Sequence, residues 1–158
     1  MNLRTSPKGS YGHYTAHLLD PTSEPAYIAV CNPRLRLLVL YIFNRRDYPW
    51  LGNWEESYNR EHAPWNGREF CRGFEFSSTP FPVPRRETVT AGPLFGESTY
   101  KWLPARSSMT SKYMIVLVEV AEEFTGVASL TADSGLLTVQ ESTGGTMQIP
   151  TEPFLDLS

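Results

Sequence analysis

The sequence predicts an all-β protein, an antiparallel β-sandwich, on three observations. Thirteen prolines and eleven glycines are spread through 158 residues and leave little uninterrupted length for helices. Short segments rich in β-branched and aromatic residues lie between them. Clusters of turn-forming residues separate those segments, and no βαβ spacing, repeat or low-complexity tract competes. With 41% hydrophobic residues, the chain has enough apolar material for a core, and its length suits one domain over residues 1–158.

The elements follow in order. Tyr11 to Leu19 reads as a first strand. Ala26 to Cys31 (AYIAVC) and Leu35 to Phe43 (LRLLVLYIF) are stronger, and the intervening Asn32-Pro33-Arg34 predicts a hairpin. Proline there sets φ at the second turn position, and asparagine can bond back to the backbone. Tyr113 to Val120 (YMIVLVEV) is nearly continuous in apolar residues, which predicts a strand covered on both faces. Leu136 to Glu141 and Thr146 to Ile149 flank Gly144-Gly145, a second hairpin signal. A loose tail is expected over residues 150–158, where two prolines fall and no period is visible.

Asn44 to Glu87 breaks the pattern. It reads as a long connection without strong structure of its own, with room for a short helical turn over Trp54 to His62. Ser78 to Arg86, with prolines at 80, 82 and 84, is expected to be extended and stiff. A connection this long is uncommon in a compact domain unless it is functional.

Composition narrows the function. A net charge of −3 offers no basic balance for phosphate contacts, so nucleic acid is not an expected partner. The longest apolar run, Leu37 to Phe43, is far short of the ~20 residues of a membrane helix, so no membrane association is expected. The polar start, Met1 to Ser10, lacks the apolar run of a secretory leader. Two cysteines, Cys31 and Cys71, show no CxxC spacing; they read as reduced thiols, with neither a disulfide framework nor a structural zinc site. The expected localisation is cytoplasmic, with no cofactor and no metal.

The central segment holds three of the four tryptophans, Trp50, Trp54 and Trp65, among many charged residues. Sugars present apolar C–H faces, which suit flat aromatic rings, and hydroxyl rims, which suit carboxylates and guanidinium groups. Trp54, Glu55, Arg60, Trp65, Arg72, Arg86 and Trp102 are therefore the candidate ligand-binding residues. The competing reading makes the tryptophans core residues and the charges a solvated rim.

In Arg72-Gly73-Phe74-Glu75-Phe76, strand alternation puts Arg72, Phe74 and Phe76 on one face and Gly73 and Glu75 on the other. Glu75 between two phenylalanines is expected to be partly desolvated, which favours acid–base work; His62 in the charged segment is the candidate partner. Glu55 and Glu56 point apart on any regular element, and either meets Glu75 only through the fold. A defined separation between two such carboxylates would point to glycosidic chemistry. His13 and His17 share a face on a strand, where metal ligation is the less favoured reading. GxSxG, P-loop and GxGxxG patterns are absent.

The succession PWLGNWEE, APWNGREFCRGFEFSSTPFP and AGPLFGESTYKWLPA resembles the C-terminal part of bacterial members of the galactose mutarotase-like (aldose 1-epimerase-like) class. The resemblance spans roughly Tyr11 to Val120. It implies part of a large antiparallel supersandwich with an open sugar cleft. It also implies a glutamate that takes the anomeric proton, with Glu75 as first choice and Glu55 as second, and a histidine acid. A full supersandwich is considerably longer than this chain, and the part that usually brings the key histidines has no counterpart here. Exposed sheet edges would follow, and with them a homodimer or a partner supplying the missing half. Three readings stand: a carbohydrate-binding domain without a reaction, an active aldose mutarotase or epimerase, and a folded remnant without a ligand.

Overall fold

The structure, a computed structural model, describes residues 9–133 and 135–151. Nine strands and one short helix run in the order β1 (Tyr11–Leu18), β2 (Ala26–Asn32), β3 (Leu37–Phe43), β4 (Trp50–Ser57), β5 (Phe70–Ser77), α1 (Arg85–Ala91), β6 (Tyr113–Glu119), β7 (Val127–Asp133), β8 (Leu136–Glu141) and β9 (Thr146–Pro150). The fold is all-β, built from three antiparallel three-stranded sheets, β1-β4-β5, β2-β3-β6 and β7-β8-β9. The described residues divide into two compact units: residues 9–18 with 50–100, and residues 19–49 with 101–151.

The second unit is a sandwich. Leu38, Leu40 and Ile42 of β3 share one apolar cluster with Leu130, Leu137 and Val139 of the β7-β8-β9 sheet, closed by Val120 and Phe124. The β2–β3 hairpin forms as its turn residues predict. Asn32 Oδ1 accepts the Leu35 N–H at 3.1 Å, and the Arg36 N–H reaches the Pro33 carbonyl at 3.3 Å. At the β8–β9 turn, Gly144 takes φ of 95°, a conformation that costs glycine little.

The structure corrects two expectations in this unit. β6 is covered on one face only: Tyr113, Ile115 and Leu117 are 51%, 46% and 64% exposed, while Met114, Val116 and Val118 pack on the core. It lies at the edge of its sheet with a single sheet behind it, so a continuous apolar run here does not mean two covered faces. β7 has no counterpart among the expected strands, because VASLTAD mixes small and polar residues. Of the expected tail, residues 152–158 lie outside the described residues.

The first unit is ordered differently. Its buried side chains are Trp50 and Pro80 together with Asn53, Glu55, Glu56, Ser57, Thr88 and Thr99. The segment from Asn44 to Glu87, expected to lack regular structure, contains β4 and β5 and opens α1. Residues 54–57 are strand rather than a helical turn. The proline-rich stretch ends at Pro84 (φ −55°, ψ 145°), and Arg85 and Arg86 begin the helix. Proline is compatible with a helix start because it lacks only an N–H that would have no intrahelical partner.

Candidate functional site

The sheet β1-β4-β5 places β4 in the centre, so each β4 side chain has neighbours on both sides. Strand periodicity sends Glu55 and the adjacent Glu56 to opposite faces, and the register builds a separate polar cluster on each.

On one face the cross-strand rows are His13–Glu55–Arg72 and Thr15–Asn53–Phe74. Glu55 is 3% exposed, a position a lone carboxylate could not hold without compensating partners. Arg72 Nη2 pairs with its Oε1, and Asn53 Nδ2 donates to the same oxygen at 3.3 Å. The Tyr11 hydroxyl donates to Oε2 at 3.2 Å, and His13 Nε2 stands 3.5 Å from that oxygen. Tyr11 and His13 stack at 5.3 Å, and the Arg72 guanidinium lies 5.9 Å from the Phe74 ring centre.

Asn53, fully buried, extends the network: its Nδ2 also faces Thr15 Oγ1 at 3.4 Å, and Thr15 Oγ1 lies 3.0 Å from His17 Nε2. With Nδ2 turned to the carboxylate, Asn53 Oδ1 is left without a donor among the described residues. Across the Thr15–His17 contact either group can donate, according to the His17 tautomer, because the Thr15 hydroxyl has a second lone pair beside the one facing Asn53.

Burial by itself pushes the Glu55 carboxyl up. The Asn53 amide, the Arg72 guanidinium and the Tyr11 hydroxyl outweigh it and hold the group below its ordinary 4.5. A carboxyl lowered in the folded chain adds stability that is complete above the unfolded value and is lost as pH falls through the folded one. Acid unfolding is therefore expected to include a Glu55 contribution that begins near pH 4.5 and grows on further acidification. Glu55→Gln should flatten that limb in a stability-versus-pH series; an unchanged limb would show that Glu55 titrates alike in both states.

On the other face three glycines each lie beside a large side chain. An added Cβ would approach Glu56 Oε2 at Gly12, the Tyr14 ring at Gly52 and Trp54 Cε3 at Gly73. Burial raises the Tyr14 hydroxyl, and the charge of Glu75 adds to the shift. Buried Glu56 takes Arg60 Nε at 3.2 Å and the Asn59 N–H at 3.1 Å. The Arg60 guanidinium lies 5.1 Å from the Trp54 ring centre and 5.5 Å from that of Trp65, a cation–π arrangement. Trp50, 2% exposed, donates its indole N–H to the Ser98 carbonyl at 2.8 Å.

The predicted residues thus separate into groups. Glu55 and Arg72 meet on one face. Trp54, Arg60 and Trp65 meet on the other, where Arg60 takes the stacking position expected for a ligand. Arg72, Phe74 and Phe76 alternate with Gly73 and Glu75 as the motif predicts. Glu75 is exposed, so the desolvation expected from its phenylalanine neighbours is absent: both project from the opposite face. Glu75 shares a face with Glu56, yet Glu56 pairs with Cys71, four residues away. At about 3.3 Å per residue the two rows lie roughly 13 Å apart, wider than glycosidic carboxylate pairs require.

His62 is exposed in the β4–β5 loop, its carbonyl accepting the Trp65 and Asn66 N–H groups. Arg86 is exposed on α1, and Trp102, 74% exposed, belongs to the other unit. The same 13 Å spacing separates His13 from His17, too far to share one ion. Among the described residues no group of three His, Cys, Asp or Glu side chains could hold a metal, and no helix is long and apolar enough to cross a membrane.

Tyr11, Thr15 and Asn53 carried no signal in the sequence beyond their strand period, although His13 and His17 were visible as a same-face pair. Comparison of the chain with family models, characterised proteins and solved structures returned no match.

Proposed function

We propose that the β1-β4-β5 sheet binds a polyhydroxylated, carbohydrate-like ligand on the face carrying His13, Glu55 and Arg72. The row formed by these three residues carries the reading. A buried carboxylate holds two side chains with planar hydrogen-bonding heads, His13 and Arg72, whose side chains are 35% and 19% exposed. Such heads can engage neighbouring hydroxyls, and partners fixed beforehand lose little freedom on binding. Tyr11 and Phe74 flank the row and offer ring surface to C–H groups.

Proton-exchange NMR and 1H–15N titration with a panel of free aldoses test this reading. Saturable shifts at His13, Arg72 and Thr15 are expected, and His13→Ala should weaken binding roughly tenfold, the worth of one good hydrogen bond. Glu75→Gln, on the opposite face, should leave binding unchanged. No saturable shift for any aldose at millimolar concentration would overturn the proposal. Anomer exchange faster than buffer would support the second reading, a mutarotase. That reading is favoured by the 3.5 Å approach of His13 to an ionised Glu55, and it places proton transfer at His13 rather than Glu75.

A further inference from the structure

We propose that the face carrying His13, Glu55 and Arg72 takes a chain of linked sugars, with Tyr58 and Phe70 forming an end station on which one unit stacks. This rests on the carbohydrate reading of that face and extends it to two residues that reading does not use. Phe70 begins β5 one row beyond Arg72, because Ser57–Phe70 and Glu55–Arg72 are successive pairs on the same face. Its ring stacks on that of Tyr58, with centroids 5.8 Å apart and planes 21° from parallel.

Tyr58 reaches this position against its local preference. It follows Ser57 at the end of β4, and a continued strand period would turn it to the opposite face, beside Glu56. Its φ of 52° leaves the strand conformation, and its ring meets Phe70 instead. A positive φ is strained for a bulky side chain and commonplace for glycine. The backbone is held there on both sides. The Tyr58 N–H donates to the Glu69 carbonyl at 2.7 Å, and the Ser10 hydroxyl donates to the Tyr58 carbonyl at 3.0 Å. Tyr58 is nevertheless 51% exposed and Phe70 59%, so two rings fixed in a strained arrangement still face water. Core packing gains little from such a pair, whereas strain of this kind collects at binding sites. Flat rings that are already fixed suit the C–H face of a sugar and lose little freedom on binding it.

Spacing sets the length of the ligand. Phe74 lies one row on the other side of Arg72, so Phe70 and Phe74 flank the guanidinium along β5. Four strand residues separate the two rings, roughly 13 Å, further than one pyranose ring extends. A monosaccharide hydrogen-bonded to His13 and Arg72 therefore reaches one of these stations at most. Single small ligands are usually enclosed in concave sites. Here the contacts are set out along a line of ring, guanidinium and ring, which matches a ligand extended along the strands. A peptide strand is recognised through its backbone at a sheet edge, and this line runs over the face, where side chains are what is offered.

Calorimetric titration of the full chain with glucose, N-acetylglucosamine and the malto-, cello- and chito-oligosaccharides tests the proposal. Affinity is expected to rise roughly tenfold from one unit to three and then level off, the scale of one added stacking contact. Tyr58→Gly removes the ring and relieves the backbone, so its thermal midpoint should be unchanged or higher while the gain with length is lost. Monosaccharide binding should be unchanged in that variant. If it fails to fold, Phe70→Ser, at the exposed start of β5, supplies the same comparison. Equal affinity for one unit and three, or a gain with length that survives the loss of either ring, would overturn the proposal and leave the carbohydrate reading standing. No binding at any length would overturn both.

Discussion

Arg72→Ala is expected to destabilise the protein by roughly 3 kcal/mol, the scale on which removing one partner of a buried ion pair acts. Glu55 would stay at a site where it is 3% exposed, with Asn53, Tyr11 and His13 as its remaining neighbours. The loss measures the desolvation of an unpaired carboxylate more than the attraction of the original pair. Two further results follow from that distinction. The Glu55 carboxyl should titrate higher in Arg72→Ala than in the parent, so the stability gap between the two should narrow as pH falls into the carboxylate range. Glu55→Gln added to Arg72→Ala should restore much of the loss, because the amide needs no counter-charge. Chemical denaturation read through the tryptophans, three of which lie in this unit, provides the measurement. A loss under about 1 kcal/mol for Arg72→Ala would mean that the other partners suffice and the ion pair contributes little.

Gly52→Ala is expected to cost about 1–3 kcal/mol, the range for forcing extra volume into a packed site. Its Cβ would overlap the Tyr14 hydroxyl oxygen and stand 2.7 Å from Cζ, so the ring must leave its place across β4. Gly73→Ala is the control. There the nearest atom, Trp54 Cε3, is 3.4 Å away, an ordinary contact, and replacing glycine within a strand removes an entropic cost of roughly 0.5–1 kcal/mol. Gly73→Ala should therefore be neutral or stabilising. Tyr14→Ala should release most of the Gly52→Ala penalty, and thermal melts of the four proteins in a double-mutant cycle give that coupling directly. Additive losses would show that Tyr14 does not restrict Gly52.

Much of the all-β character was legible because apolar alternation and turn chemistry are local. β2, β3, β6, β8 and β9 follow from runs of branched and aromatic residues, and Asn32-Pro33 and Gly144-Gly145 locate their turns. β4 and β5 were not legible as strands. WLGNWEES and FCRGFEFS lack the apolar-in, polar-out signature, because both faces of β4 bury polar groups and glycines interrupt both strands. A segment of this kind reads as a loop when period is judged by hydrophobicity alone.

The candidate site was legible in its residue types and illegible in its grouping. Glu55, Arg72, Trp54, Arg60 and Trp65 stood out as a mixture of charge and aromatic surface within one stretch. Only the register of β4 against β1 and β5 divided them, setting Glu55 with Arg72 and His13, and Trp54 with Arg60 and Trp65. His13 lies 42 residues before Glu55, and nothing local links them. The sequence by itself determined β1, β2, β3, β6, β8 and β9, the two hairpins and the opposite directions of Glu55 and Glu56, because these rest on dihedral preference and a period of two. The tertiary structure alone decided that Glu55 and Glu56 are both buried, that Arg72 pairs with the first and Arg60 with the second, and which face of β6 meets water. Those outcomes depend on strand pairing and on what covers each face, which neither composition nor spacing encodes.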